Sequence, residues 1–381
     1  MDIITKRLRL KPIDMTYVNE VFDYFSAEVC TYMGPQPATT INETMTFIAS
    51  SMENYQRHQE VVYVILKQET SEFLGCLGVH NLPTKTPELG IWLKLSAQGM
   101  GYGQESIIAV MDDVKQRHPI DYFIYPVDRR NLPSRRIPEK LGGLIFGRKD
   151  TINSAGKRLE LLEYHIGHSV TASNHDNRPI IVFDGDSITD ASRDRDHLES
   201  LGNGHAKRME TFFPDARIFN LGISGHRSAD LLNRWNQTLA LNPNIIVLLV
   251  GINDIWHYYR FQTPLKRNEY YNNVKRIILK TKKEAPNTTL ILLEPFAFPI
   301  GEFDPNWTHD LEKEQATIKK LAENYQCPFV PTQSALFCMA QSYPMDKILP
   351  DGVHPSEFGY QVLSEIIFSE VSQAVRRHYQ E

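Results

Sequence analysis

The C-terminal half of the chain alternates short aliphatic runs with longer amphipathic stretches. The runs at 180–183, 217–221, 245–250, 290–293 and 328–331 are continuous and apolar, which predicts strands buried on both faces. Amphipathic segments at 270–283 and 309–325 predict helices, and 357–378 predicts one more. Strand and helix in alternation predict a parallel sheet covered on both sides. Reactive groups on such a sheet gather at the carboxyl ends of its strands. The N-terminal half lacks this alternation. Its predicted strands at 7–10, 61–66, 73–80 and 88–95 come in groups, and a helix at 104–117 is entered through a Gly-rich turn. Grouping of this kind predicts an α+β unit, with no βαβ unit around the turn.

Between the halves lies GHSVTASNHDNRP, polar and without apolar periodicity, as a surface linker should be. The expected division is a first domain at 1–167, a linker at 168–178 and a second domain at 179–381. A chain of 381 residues allows two such units, at about 100–200 residues each. A hydrophobic fraction of 41% with 23% charged residues argues against a disordered or fibrous chain. The net charge of −5 argues against a generally basic nucleic-acid binder.

Four cysteines (Cys30, Cys76, Cys327 and Cys338) are scattered without C-x-x-C spacing, which fits a reducing cytoplasm rather than a zinc ribbon or disulfide scaffold. The N-terminal stretch has no apolar signal core. The strongest apolar run, 245–250, is far short of the ~18 residues of a membrane span. The expected protein is cytoplasmic, with no nucleic-acid or membrane partner. No cluster has metal-ligand spacing such as H-E-x-x-H, so no metal is expected.

Candidate chemistry sits just beyond the predicted strands. The first runs into Asp184-Gly185-Asp186-Ser187-Ile188-Thr189, the second into Asn220-Leu221-Gly222-Ile223-Ser224-Gly225, and the third into Gly251-Ile252-Asn253-Asp254. Asp351-Gly352-Val353-His354-Pro355 precedes the last helix. Alone, Ser187 could be an ordinary helix cap. Together the blocks hold what acyl transfer needs: a nucleophile (Ser187), a base (His354), an acid to orient it (Asp351), and oxyanion donors. The donors would be the N–H groups of Ser187 and Gly225 and the side-chain amide of Asn253. Asp186 is expected to brace the turn. Trp256 and His257 either line a substrate pocket or are a packed tryptophan and a surface histidine. His205 and His226 are expected to be structural or solvent-facing.

These four blocks, in this order, resemble the SGNH (GDSL-type) hydrolases, in which serine, glycine, asparagine and histidine each come from one block. The resemblance covers about residues 179–377. It implies an α/β flavodoxin-like domain with a parallel five-stranded sheet and a serine esterase needing no cofactor. The stretches 185–195 and 251–257 look most like the branch of carbohydrate acetylesterases and small-ester esterases. The G-x-S-x-G elbow of α/β-hydrolases is absent.

In the first half, Gln98-Gly99-Met100-Gly101-Tyr102-Gly103 opens the predicted helix. Glycines let backbone approach a ligand, and a helix start offers N–H groups to phosphate. Position 106 is Ser, so the dinucleotide template fails, and the Lys-Ser/Thr of a P-loop is missing. The loop does match the Q/R-x-x-G-x-G/A signature of GNAT acetyltransferases. Thr5-Lys6-Arg7-Leu8-Arg9-Leu10, the strand from Glu88, Asn131-Leu132-Pro133-Ser134 and Lys140-Leu141-Gly142-Gly143 resemble segments of the subgroup that acetylates protein N-termini. The Gly-Gly departs from that subgroup's Gly-Phe. The resemblance covers about residues 1–167. It implies acetyl-CoA as cofactor, held by Gln98 through Gly103, with Asn131 touching it and Ser134 protonating the departing thiolate. Ser134 is otherwise a plain helix cap, and Glu88 is either a base acting through water or a structural carboxylate.

The expected function is a two-domain enzyme. A serine esterase would hydrolyse small, acetyl-type esters of a carbohydrate, and an acetyl-CoA-dependent N-acetyltransferase would act on an amine acceptor. The alternative is a lysophospholipase-like hydrolase of lipid esters whose first domain binds acetyl-CoA without turnover, as a regulatory module.

Overall fold

The computed structural model describes residues 2–167, 178–264 and 268–379. They form two compact units, one on each side of the undescribed stretch 168–177. The expected linker 168–178 therefore lies, except for Arg178, outside the described residues.

The first unit is built on an eight-stranded sheet. Its strands are β1 (Ile3–Ile4), β2 (Leu8–Pro12), β3 (Val61–Lys67), β4 (Phe73–His80), β5 (Glu88–Leu93), β6 (Phe123–Asp128), β7 (Leu144–Ile152) and β8 (Arg158–Ile166). They lie in the order β1-β2-β3-β4-β5-β6-β8-β7. Neighbours are antiparallel except β5 and β6, which run parallel. Helix Tyr102–Arg117 is the crossover that a parallel pair requires. Its buried Ile107, Val110, Met111 and Val114 recur at helical spacing against the sheet. Helices Val18–Tyr24 and Ile41–Gln56 cover the other face through Val21 and Ile48. The continuous apolar run of β3 follows: Val61, Tyr63 and Ile65 enter one core, Val62, Val64 and Leu66 the other.

The Gly-rich turn thus lies inside a β-α-β crossover, which corrects the expectation that none surrounds it. The signal was hidden by Pro126, which demotes its segment as a strand. The structure shows why proline is tolerated there. The Ile124 N–H donates toward β5, to the Pro87 carbonyl at 3.0 Å. Pro126, two residues on, faces the same side. The parallel pairing consists of Glu88 with Ile124 alone, so at Pro126 there is no ladder bond to lose. The two strands part beyond that point.

The second unit holds β9 (Ile180–Gly185), β10 (Arg217–Asn220), β11 (Ile245–Leu249), β12 (Thr289–Leu293) and β13 (Phe329–Val330). They form one five-stranded sheet, order β10-β9-β11-β12-β13, all parallel. Renumbered within the unit this order is 2-1-3-4-5, the flavodoxin-like winding. Helix Glu357–His378 packs Leu363, Ile367 and Val371 on one face, against Ile181, Val247 and Ile291. Helices Ser228–Ala240 and Glu269–Glu284 cover the other, with Trp235 and Ile277 against Ile246 and Leu248. Strand order reverses between β9 and β11, and ligands of such sheets bind outside the carboxyl ends at that point. Among the described residues no helix is long and apolar enough to cross a membrane.

Candidate active site

β9 ends at Gly185, where backbone crowding permits no other residue. A Cβ there would stand 2.1 Å from the Leu249 carbonyl oxygen of the neighbouring strand. The chain then turns at once into the short helix Ser187–Asp190. Its cap is Asp186, whose Oδ1 accepts from the Ile188 N–H at 3.0 Å. Ser187 is therefore freed from capping, and its hydroxyl faces a histidine.

Ser187 Oγ lies 2.9 Å from His354 Nε2. His354 Nδ1 lies 2.7 Å from Asp351 Oδ2. The other Asp351 oxygen accepts from the backbone N–H groups of Val353 at 2.9 Å and His354 at 2.7 Å. Burial pushes the Asp351 carboxyl up, but these bonds from His354 and Val353 outweigh it and hold the group below its ordinary value. It stays ionised, as a partner for an imidazole N–H must.

The backbone N–H groups of Ser187 and Gly225 have no acceptor among the described residues. The segment carrying Gly225 is drawn to β9, the strand that leads into Ser187, by bonds from Leu221 N–H to the Phe183 carbonyl (2.8 Å) and from Ile223 N–H to the Gly185 carbonyl (3.1 Å). Asn253 follows β11, whose Leu249 is in register with Gly185. Its amide donates one bond, to the His226 carbonyl at 3.2 Å, which ties it beside Gly225 and leaves the second N–H unused among the described residues.

Several groups that the sequence reading passed over hold this arrangement. Arg234, on helix Ser228–Ala240, grips Asp184 through Nη1 (3.0 Å) and Nη2 (2.6 Å), both groups buried. Thr238 donates to the same carboxylate, and Arg234 Nε donates to His226 Nδ1 at 3.1 Å. Asn220, fully buried, donates to the carbonyls of Thr189 (2.7 Å) and Leu201 (2.8 Å) and accepts from Gly222 N–H. Asp190 accepts from Ser224 N–H at 2.9 Å and from Arg195 Nε at 2.7 Å. Asp254 accepts from the N–H and hydroxyl of Ser228. Asn220 and Asp254 sit inside the motif blocks and Asp190 directly follows the first of them, so their polar character was visible; their partners lie elsewhere in the chain.

Trp256 packs on the core, with ring centroids 5.1 Å from Trp307 and 5.8 Å from His354. His257 contacts Phe261. His205 is buried beside Phe183 and Tyr360, and burial pushes it down to about 4. Burial and the Arg234 charge likewise push His226 down to about 4.

Asp186 is also buried, and its Oδ2 has no partner among the described residues. Burial pushes its carboxyl up to about 7, against the pull of the Ile188 N–H and His354. In the unfolded chain an aspartate titrates near 3.9. A folded value raised this way means the native state holds its proton longer than the unfolded one. The associated stability is complete at low pH and is lost as pH rises from about 4 to about 7. Asp186→Asn keeps the cap and removes the titration. Its unfolding midpoint should therefore gain on wild type across that window and run parallel above it. A constant difference from pH 4 to 8 would count against a raised value.

In the first unit the turn at Gly99 and Gly101 adopts positive φ, +75° and +78°. A Cβ at Gly99 would meet open space, so this face of the turn is clear for a ligand. The consecutive backbone N–H groups of Gly99, Met100, Gly101, Tyr102, Gly103 and Gln104 have no acceptor among the described residues. They stand at the start of helix Tyr102–Arg117, beside the parting of β5 and β6. Such a donor set fits a pyrophosphate.

Asn131, not Ser134, caps helix Leu132–Lys140: its Oδ1 accepts from the Ser134 N–H at 3.3 Å. The Ser134 hydroxyl instead pairs with the Tyr125 hydroxyl at 2.8 Å. Burial pushes that tyrosine up to about 12. Glu88 pairs in register with His80 and Ile124. Among the described residues no three His, Cys, Asp or Glu side chains converge as a metal set.

Comparison with known proteins agrees with both units. Residues 183–362 match the GDSL-like lipase/acylhydrolase family, and residues 7–143 match the acetyltransferase (GNAT) domain. The chain joins a GNAT domain to a GDSL-type hydrolase domain. Both are enzyme domains, an acetyltransferase and an esterase.

The GDSL domain is similar to an acetylxylan esterase of Geobacillus stearothermophilus, 29% identical over 206 residues, spanning 50% of this chain and 93% of that protein. A crystal structure of the acetylxylan esterase Axe2 from the same organism aligns over 51% of this chain and 94% of its own (29% identity, TM-score 0.45). A Parabacteroides merdae protein described as a GDSL-like lipase aligns over 49% and 93% (30% identity, TM-score 0.47).

Proposed function

We propose that the GDSL domain hydrolyses acetyl esters of a carbohydrate through Ser187, His354 and Asp351, and that the GNAT domain transfers acetyl from acetyl-CoA to an amine. The observation that carries the first part is the unbroken chain of contacts from Ser187 Oγ through His354 to Asp351, 2.9 Å and 2.7 Å long, at the reversal point of the sheet.

Ser187 Oγ attacks the ester carbonyl while His354 Nε2 takes its proton. Asp351 keeps the imidazole proton on Nδ1 and stabilises the cation that forms. The N–H groups of Ser187 and Gly225 and the free Asn253 N–H receive the developing oxyanion. Loss of one such donor costs roughly 10²–10³ in rate. His354 returns the proton to the leaving sugar oxygen, which departs as a hydroxyl and leaves acetyl-Ser187. His354 then deprotonates a water that attacks this ester, and acetate leaves as the Ser187 proton is restored.

The acetylated carbohydrate is supported by the acetylxylan esterase relatives and by Trp256, which offers an aromatic surface beside His354. The segment that follows Asn253 is aromatic and polar rather than aliphatic. A long acyl tail would gain about 0.8 kcal/mol per buried CH₂ only in an apolar slot. The kcat/KM should therefore fall from p-nitrophenyl acetate to butyrate to octanoate. A rise along that series would overturn the acetyl preference in favour of lipid esters.

In the GNAT domain the N–H groups of residues 99–104 would hold the cofactor's pyrophosphate, with Gln98 and Asn131 beside it. Bound acetyl-CoA supplies an activated thioester. Ser134, relayed by Tyr125, would deliver the proton the departing thiolate needs, and Glu88 would accept the amine's proton through water. This dependence on acetyl-CoA extends the proposal to a cytoplasmic location.

A further inference from the structure

We infer that Arg7 and Glu105 form a clamp that positions the cofactor loop, Arg7 fixing the Met100–Gly101 peptide and keeping the Glu105 carboxylate away from the N–H groups that would bind the cofactor's pyrophosphate. This rests on the reading of residues 98–103 as the acetyl-CoA loop. It assigns work to two residues that neither the motif nor the transfer chemistry uses.

The geometry has two parts. First, Arg7 Nη1 donates to the Met100 carbonyl at 3.0 Å, and its guanidinium lies 4.7 Å from the centre of the Tyr102 ring. In a trans peptide the carbonyl and the following N–H point in opposite directions. Holding the Met100 oxygen toward Arg7 therefore turns the Gly101 N–H the other way, away from Arg7.

Second, Glu105 stands in the first turn of helix Tyr102–Arg117. An acidic side chain there is drawn to the free N–H groups and the positive end of the helix dipole, the same features that would attract a phosphate. The structure diverts it. Glu105 Oε1 accepts from the Thr5 hydroxyl at 2.6 Å and the Arg7 N–H at 3.1 Å. Oε2 accepts from Arg7 Nε at 2.7 Å and faces Nη2 at 2.6 Å. With its acceptors engaged on β2's approach, the carboxylate leaves the helix start clear. Although burial pushes the Glu105 carboxyl up, the bonds from Thr5 and Arg7 outweigh it and hold the group below its ordinary value.

Arg7 thus acts as a positioning residue, and the two parts separate experimentally. Calorimetry of the full chain with CoA is the measurement. Arg7→Ala should raise Kd about tenfold or more, as loss of a charge-assisted hydrogen bond does. Adding Glu105→Gln to that variant should recover part of the loss, because the released side chain no longer carries a competing charge. Glu105→Gln alone keeps one oxygen for Thr5 and the Arg7 N–H but sets an amide N–H against the guanidinium, so the clamp loses half its hold and CoA binding should weaken, by less than in Arg7→Ala; this variant keeps the test alive if Arg7→Ala fails to fold.

An unchanged Kd in folded Arg7→Ala overturns the inference. So does a double variant no better than Arg7→Ala, since a mere brace of the fold would not be rescued by removing a charge, and so does a Kd left unchanged by Glu105→Gln alone. A wild-type protein that binds no CoA overturns the cofactor reading itself, which sets that failure apart from the others.

Discussion

Ser187→Ala should leave a folded protein whose ester hydrolysis is lower by about four orders of magnitude or more. The size follows from the atom removed. In the proposed mechanism Oγ forms the covalent bond to the acyl group, and among the described residues no other hydroxyl is paired to His354. What survives is the oxyanion donors and the binding of substrate, which act on an uncatalysed water. The cost in stability should be small, because the Ser187 hydroxyl makes one hydrogen bond among the described residues while Asp186 carries the cap. The check is kcat on p-nitrophenyl acetate beside an unfolding curve, with CoA binding by the GNAT domain as an internal control. Hydrolysis near the wild-type rate in a folded Ser187→Ala variant would remove the serine mechanism.

The second unit was legible because its strands are buried on both faces. A strand such as β11, Ile-Ile-Val-Leu-Leu, needs apolar residues throughout and so declares itself without any partner in view. Its site was legible because each chemical group stands in a short block just past a strand end, and the winding of the sheet brings those ends together. In the first unit the informative strand β6 carries a proline and reads as a loop. The proline fits only because β5 departs at that level, a fact about another segment. Helix Ile41–Gln56 escaped notice for a related reason: its buried positions, Thr44, Ile48 and Ser51, include one large apolar residue, so periodicity barely marks it.

The same limit applies within the site. Asp351 and His354 are three residues apart, and their pairing could be foreseen. Arg234 and Asp184 are fifty apart, with no local pattern to link them. A side chain placed for chemistry can sit in a motif, whereas the side chain that holds it in place need only be near it in space. Ser134 shows the same limit: of its two readings the cap belongs to Asn131 instead, and its hydroxyl is turned to a tyrosine on β6 that no local pattern links to it.

Arg234→Met should be the most destabilising change at this site. Arg234 is 6% exposed and Asp184 not at all, and their bond is two-pronged. Removing one partner of a buried pair strands the other charge in the interior, at a cost of about 3–5 kcal/mol. The Thr238 hydroxyl and Gly185 N–H still reach Asp184, but neither carries a compensating charge. The damage should extend to function, since Asp184 belongs to the strand end that presents Ser187 and Arg234 also braces His226, whose carbonyl receives Asn253. Arg234→Met should therefore lower the unfolding midpoint of the GDSL domain and reduce kcat in what remains folded. Pairing it with Asp184→Asn removes the stranded charge and should restore much of the stability. Hydrolysis should recover less, because the neutral pair cannot reproduce the two-pronged grip on the strand that leads into Ser187. Denaturant unfolding of the full chain, followed by esterase activity across the transition, measures both. An Arg234→Met protein as stable as wild type would show that the buried pair is not what holds this strand end in place.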